Sequence, residues 1–283
     1  MKNFVLITNE FKDNDLVLSK KIIDYINKKG GRAKGLISGV EATKSKQFDI
    51  TDIPVDTDCV LVLGGDGTLI RAATKLSSLE LPLIGINLGT LGYLCELEES
   101  TIFNAIDLLF KGNYFIEERM ALMSNPCNVS NNMIALNDVV IHQMGGLSIL
   151  SFDVYVNGEF LSTYNADGII IATPTGSTGY SMSAGGPIVD PKANMIVITP
   201  INAHNLNSKS IVIGDDAVVE VKLRRRCAQK DDRAQVSFDG DFVKELYSGE
   251  SFMVTRATSN IKICKLNRKS FLEILRKKMA TFN

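Results

Sequence analysis

The chain has 283 residues, 45% of them hydrophobic, enough for one large globular domain or two ordinary ones with a full core. Its 31 basic and 32 acidic residues leave a net charge of -1 and a pI of about 6.2, so no overall field favours a nucleic acid or an anionic membrane. The five cysteines (Cys59, Cys95, Cys127, Cys227 and Cys264) form no CxxC pair and there are only two histidines, which argues for a reducing compartment and against a zinc site or disulfide framework.

The N-terminus MKNFVLITNE holds too short an apolar run for a signal peptide. No segment approaches the roughly 18 to 20 apolar residues of a transmembrane helix. A soluble cytoplasmic protein is expected. FVLIT (4–8) predicts a buried strand. Leu16, Ile22, Ile23 and Ile26 then mark a helical stripe that begins near Asn14 or Asp15 and stops at Gly30-Gly31. AKGLI (33–37), CVLVL (59–63) and PLIGIN (82–87) are further strand-like runs, with a helical segment LIRAATKL (69–76) between the last two and another helix near 101–111. Strands separated by helices imply right-handed crossovers and a mostly parallel sheet, whose ligands lie beyond the carboxyl ends of the strands.

From about residue 119 the pattern becomes short alternating runs bounded by turn residues, among them MIALNDVVIH, SFDVYVNG, GIIIAT, MIVIT, AVVEVKL, AQVSFDG, FMVT and IKICKL. Asn157-Gly158 and Asp239-Gly240 are hairpin turns. The fold class expected is thus an N-terminal Rossmann-like α/β domain (1–118), followed by a larger antiparallel β domain (119–267). A C-terminal helix within 268–283, marked by Phe271, Ile274 and Leu275, is expected to return to the first domain.

LVLGGDGTL (61–69) runs a strand into a turn with three glycines. Gly64, Gly65 and Gly67 let the main chain approach a ligand closely, and Thr68 is placed to cap the following helix. The pattern is neither GxxxxGK[ST] nor GxGxxG. An acid among N–H groups that attract anions repels phosphate, and two roles resolve the conflict. Asp66 is either a structural cap or, in phosphoryl transfer to an alcohol, the carboxylate that orients the hydroxyl and accepts its proton.

GGDGT resembles the loop shared by NAD kinases, by diacylglycerol and sphingosine kinases and, with Ser for Thr, by phosphofructokinases. YNADGIIIATPTGSTGYSMSAGGPIVDP (164–191) is similar to the long signature of NAD kinases, and LNDVVIH (136–142), NLGTLGYL (87–94), ITPINAHNL (198–206) and SFDGD (237–241) look like that family's other landmarks. The resemblance covers roughly residues 59 to 241.

It implies phosphoryl transfer from the γ position of ATP, or from another phosphate donor, with Mg²⁺ or another divalent metal, to the 2′-hydroxyl of the adenosine ribose of NAD. Asp66 would accept the proton, with Gly64, Gly65, Gly67 and Thr68 forming the donor loop and no protein side chains fixing the metal. Asp66, Gly67, Arg71, Asn137, Asp138, Asn165, Asp167, Thr178, Gly179, Tyr180, Ser181, Met182 and Ser183 would bind NAD. Asn137 and Asp138 would take the ribose and base, Asn165 and Asp167 would line the same cavity, and Tyr180 would offer a stacking face. Gly179 departs from the Ala common in the family's GSTAY. A homodimer or homotetramer is implied, with neither nucleic acid nor membrane as partner.

His142 and His204 lack acidic or cysteine partners at ligand spacing, Arg224–Arg226 and Lys230–Arg233 read as a solvated hairpin, and the methionines read as core filler. Two alternatives stay open: a lipid kinase sharing GGDGT, and a dinucleotide sensor without catalysis.

Overall fold

The computed structural model describes residues 1–38, 48–89, 92–95, 97–124, 133–144, 149–204, 208–225, 232–267 and 270–280. Cys127, Cys227, Thr90-Leu91 of NLGTLGYL, Asn205-Leu206 of ITPINAHNL, and Arg226 with Lys230-Asp231 of the basic hairpin lie outside these. The chain divides into two compact units, one of Met1–Glu118 with Ile261–Asn283, the other of Arg119–Asn260.

The first unit opens with β1 (Asn3–Thr8), α1 (Val17–Lys28), β2 (Arg32–Ile37), β3 (Cys59–Gly64), α2 (Asp66–Lys75), β4 (Leu83–Asn87), β5 (Leu97–Glu98), α3 (Ile102–Phe110) and β6 (Phe115–Arg119). β2-β1-β3-β4 are neighbours in that order and pair in parallel, and β5 adds to β4, also in parallel. β3 is buried along its whole length, which is why its sequence is a nearly unbroken apolar run. Ile22 and Ile26 of α1 and Ile102, Ala105, Ile106 and Leu109 of α3 recur at helical spacing and fill one core with Phe4, Leu6, Leu61 and Ile86.

The chain leaves β1 toward β2 on one side and β3 toward β4 on the other, so the sheet's switch point lies between the carboxyl ends of β1 and β3. There the strand-to-helix turn is tighter than the sequence suggests. α2 starts at Asp66 with extended Gly65 as its N-cap, and Thr68 and Leu69 donate to the Gly65 carbonyl at 2.9 and 3.1 Å. Thr68 is therefore a buried residue inside the first turn and not the cap. Its hydroxyl would lie 2.4 Å from a Cβ on Gly64, so only glycine lets β3 run so close under the helix.

The second unit contains β7 (Leu122–Ser124), β8 (Ile134–Ala135), β9 (Asp138–Gln143), β10 (Leu150–Val156), β11 (Glu159–Ala166), β12 (Gly168–Ala172), α4 (Tyr180–Ser183), β13 (Met195–Ile201), β14 (Ile211–Gly214), β15 (Val219–Leu223), β16 (Arg233–Phe238), β17 (Asp241–Tyr247) and β18 (Ser251–Arg256). They form two antiparallel six-stranded sheets, β11-β10-β15-β18-β7-β8 and β14-β13-β12-β9-β16-β17. Asn157-Gly158 turns β10 into β11 and Asp239-Gly240 turns β16 into β17, all four residues at positive φ.

Side chains from both sheets, including Phe152, Val154, Val221, Val139, Ile141, Ile169 and Ile171, share one core. The alternate residues Val140, Ile170, Ala172 and Val197 pack instead with Ala184 and Val189. The second sheet is thus apolar on both faces at β12, and the polar signature segment after that strand folds back to cover its outer face.

IKICKL reads from sequence as part of the antiparallel domain. In the structure β19 (Ile261–Lys265) joins the first sheet beside β4 and parallel to it, Ile263 opposite Leu83, and the boundary falls at 260/261 in place of 267/268. A parallel neighbour so distant in the chain leaves no local signal, because its partner is set by an open sheet side and not by a turn. The following α5 (Phe271–Ala280) belongs to the same unit, and Lys278 Nζ stands 4.3 Å from the Tyr93 ring centroid.

Phe152 is fully buried between the two sheets. Phe152→Ala is expected to cost about 3–5 kcal/mol, read as a lowered urea midpoint for the β unit; a shift under about a fifth of that would contradict a shared core.

Candidate active site

Asp66 projects from the first turn of α2 and its carboxylate accepts three consecutive main-chain N–H groups. Tyr93 donates to Oδ2 at 2.6 Å, Cys95 to Oδ1 at 3.0 Å, and Leu94 to both oxygens at 3.3 Å. Successive N–H groups aimed at one point make a concavity that binds an anion, and here the anion is a side chain. A Cβ on Gly92 would lie 1.9 Å from Asp66 Oδ1, so glycine at that position is a condition of the contact. Cys95 is buried against the carboxylate; desolvation and then the charge of Asp66 raise its thiol well above the usual range, which keeps it inert. Gly67 is exposed with no atom near its Cα hydrogens, and Arg71 is exposed one turn further along α2.

Sequence reading missed Lys12, which follows β1. The Asn9 N–H binds the Leu63 carbonyl at 2.9 Å, holding this loop against the end of β3. The Lys12 ammonium then lies 3.1 Å from a Cβ built on Gly65 and 3.3 Å from one on Gly89. A cation thus overhangs the glycine turn at the switch point. It also borders a cavity of about 610 Å³ shared with Lys21, Asn87, Glu98 and Asp13, a size that suits a small polar ligand. The signal available in sequence was a polar loop ending the first strand of a parallel sheet, where ligand groups are expected.

In the second unit Asn137 and Asp138 stand at the start of β9, a central strand of its sheet. Asp138 pairs with Ala172, and the main chain just before it is held on two sides. Thr173 Oγ1 donates to the Leu136 carbonyl at 2.6 Å and Thr173 N–H to the Asn137 carbonyl at 2.8 Å, while Gly176 sits where a Cβ would lie 2.0 Å from that oxygen. The hydroxyl-rich turn is therefore pressed onto the Asn-Asp pair. A methyl at Gly179 would touch Asp138 Oδ2 at 3.8 Å and Asn137 Nδ2 at 3.9 Å, with Gly176 O tighter at 3.2 Å.

The remaining residues of this turn divide by exposure. Tyr180 is 48% exposed, leaving a ring face open. Thr178, Met182 and Ser183 reach the surface at least in part. Ser181 does not: it is fully buried and bonds Thr199 Oγ1 at 3.0 Å, so it shapes the turn and faces no ligand.

Asn165 and Asp167 lie elsewhere. Asp167 precedes Gly168, at the other end of β12 from Ala172 and Asp138. A five-residue strand puts about 13 Å or more between those ends. Asp167 binds Asn202 Nδ2 at 3.0 Å, and the Asn165 carbonyl accepts the His204 N–H at 2.9 Å. Asp167 thus sits at the far end of β12 from Asp138, because β12 runs antiparallel to β9, and Asn165 lies in β11 of the other sheet, opposite Ser151. His142 Nδ1 meets the Gln143 carbonyl at 2.9 Å, a structural contact.

An α/β sheet with an acid fixed in the glycine turn at its switch point fits a phosphotransferase that acts on an alcohol. The ATP-NAD kinase N-terminal domain family model matches residues 19–114 and the ATP-NAD kinase C-terminal domain model residues 136–266. Full-length relatives include the NAD kinase of Agathobacter rectalis, 59% identical with 100% of both chains covered, and that of Lachnospira eligens, 42% identical over 99% of this chain and 100% of the relative. Yeast NADH kinase, solved with NADH, shares the fold at TM-score 0.86 and 21% identity, covering 99% of this chain and 88% of that one. An Archaeoglobus fulgidus NAD kinase, solved with ATP, does so at TM-score 0.77 and 20% identity, covering 99% and 100%.

The chain belongs to the NAD kinase family, and its activity is phosphorylation of NAD to NADP. The lipid-kinase and sensor alternatives are not favoured by matches that run through both halves of the chain.

Burial, and then the neighbouring charge of Asp239, push the Asp138 carboxyl up to about 7. Burial also lifts Asp239 to about 6, opposed by the N–H groups of residues 136–138 and reinforced by Asp241. A carboxyl harder to ionise when folded contributes stability that is complete below its ordinary value, about 4, and is lost as pH rises through about 7. The β unit's urea midpoint is therefore expected to fall between pH 5 and pH 8, and Asp138→Asn to flatten that slope; identical slopes in the two proteins would refute the assignment.

Proposed function

We propose that the donor is ATP carrying Mg²⁺ or another divalent metal, that Asp66 accepts the proton of the adenosine ribose 2′-hydroxyl, and that Asn137 and Asp138 bind the ribose diol and base. The observation that carries the catalytic reading is the oriented carboxylate of Asp66. Three N–H groups hold it in one position, and a carboxylate offers about four acceptor sites, which leaves capacity for a hydroxyl proton. A positioned acceptor is what an in-line displacement at phosphorus requires of the protein.

Gly64, Gly65 and Gly67 with Thr68 would present the donor loop, and Lys12 and Lys21 would meet phosphate charge. Among the described residues no three His, Cys, Asp or Glu side chains converge to hold an ion. Asp13 is committed to the N–H groups of Leu18 and Ser19 and the Ser19 hydroxyl. Such a donor set fits a metal that arrives on the phosphates of ATP, with charge neutralisation as the chemistry it supplies. The solved relatives support both substrates, one holding ATP and the other NADH. Geometry is expected to matter most, then the metal, then proton acceptance.

Thr178, Gly179, Tyr180, Met182 and Ser183 would cradle a ring on the open face of the signature turn, Ser181 supporting them from beneath, with Gly67 and Arg71 contributing from the glycine turn and α2. A homodimer or homotetramer joined through β units, as the family resemblance implies, would let Asn165 and Asp167 of one copy serve another's acceptor site. Buried thiols at Cys59 and Cys95 are in keeping with a cytoplasmic location.

Asp66→Asn is expected to keep NAD binding by calorimetry while lowering turnover by about a hundredfold or more; near-normal turnover would exclude Asp66 as the acceptor. Gly92→Ala forces the carboxylate or its N–H partners to move and is expected to cut turnover roughly tenfold or more at unchanged NAD affinity. Turnover within twofold of the parent would show that orientation by residues 93–95 is unimportant.

A further inference from the structure

The family's acceptor pair poses a backbone problem. Leu136, Asn137 and Asp138 turn sharply into a central strand, and their carbonyls are partly met by Thr173. Their three successive N–H groups all point to one place, the carboxylate of Asp239. Leu136 donates to Oδ2 at 2.7 Å, and Asn137 and Asp138 to Oδ1 at 2.8 and 3.1 Å. The Asp239 N–H returns a bond to the Asp138 carbonyl at 3.0 Å.

Asp239 can reach them because it begins the I′-like turn between β16 and β17, at φ 49 with Gly240 at φ 89, and β16 pairs directly with β9, Phe238 opposite Val139. Without an acceptor there, the side chains of Asn137 and Asp138 are local groups able to fold back onto the bare N–H donors, as Asx residues commonly do.

We infer that Asp239 is a positioning residue for the acceptor substrate: it caps the 136–138 turn so that the Asn137 and Asp138 side chains stay available for the adenosine ribose and base. This rests on the reading of Asn137 and Asp138 as the NAD-binding pair. It assigns work to a residue more than a hundred positions away in the chain, on a different hairpin. Electrostatics alone gives the opposite expectation. The charge of Asp239 opposes ionisation of Asp138, so a purely through-space role means that removing the charge improves binding of the diol.

Asp239→Asn is the informative variant. Asn-Gly is the preferred I′ turn, so the hairpin is kept while one acceptor oxygen becomes a donor facing the Leu136 N–H. Steady-state kinetics at pH 8 with MgATP and NAD are expected to show KM for NAD raised roughly ten- to hundredfold, as for loss of charge-assisted hydrogen bonds, with KM for ATP within about twofold and kcat within about threefold. Unchanged or lowered KM for NAD in a variant with parental melting temperature overturns the inference. So does a fall in kcat with both KM values displaced together, the pattern of general loosening.

Should the variant fail to fold, amide exchange of the parent protein decides. Protection of the 136–138 amides comparable to β9 is expected, and exchange as fast as an open loop overturns the assignment. Asn137→Ala and Asp138→Asn are run alongside. If they leave KM for NAD unchanged, the acceptor-site reading itself fails; if they raise it and Asp239→Asn does not, only the role of Asp239 fails.

Discussion

Three N–H bonds from Tyr93, Leu94 and Cys95 to Asp66 tie the glycine turn to the segment after β4. They fix the orientation of Asp66 and tie the start of α2 to residues 93–95. An acid aimed into a turn of converging N–H groups spoils a phosphate site, since it occupies the field a phosphate needs. The structure resolves this by turning the carboxylate away from the N–H groups of its own helix and into a second concavity supplied by residues 93–95. The glycine turn keeps its own donors, and the acid acquires one orientation. That arrangement needs Gly92, where any Cβ would collide with the carboxylate, and Gly64, where one would collide with Thr68.

The same device recurs in the second unit at Asp239, with three N–H groups of another sharp turn as donors. Consecutive N–H groups that leave a strand or helix have no ladder partner, and burying them unmet costs about 1–3 kcal/mol each. An Asp from a distant segment satisfies all three at once. Each carboxylate therefore serves as a fixed internal anion that freezes a turn; at 136–138 the turn carries Asn137 and Asp138, and at 93–95 it holds Asp66 itself, residues that the family resemblance assigns to substrates.

The β unit shows how a polar signature can be structural and functional together. β12 is apolar on both faces, and the segment after it covers the outer face with Ala184 and Val189. Ser177 and Ser181 spend their hydroxyls inside that cover, on the Pro174 and Val189 carbonyls and on Thr199. Thr178, Tyr180 and Ser183 are left on the outside. Sequence order alone does not separate these groups, since all belong to one run of small polar residues.

Periodicity in the sequence determined the element types, the parallel-then-antiparallel order and the two hairpin turns, because each depends on neighbours within a few residues. The motif resemblance determined the reaction, since GGDGT and the 164–191 signature are local strings. What depended on distant partners was not legible. Thr68 lost its capping role because the helix starts two residues earlier, at Asp66 with Gly65 as its N-cap. Lys12 joined the glycine turn only because β1 and β3 are adjacent strands. The strand 261–265 joined a sheet whose other members end at residue 119, and Asp167 stands at the far end of β12 from Asp138 because β12 and β9 pair antiparallel. Local sequence specifies conformation through short-range sterics and hydrogen bonds, whereas which remote carboxylate, amine or strand fills a given gap is decided when the sheets assemble and unpaired groups must find partners.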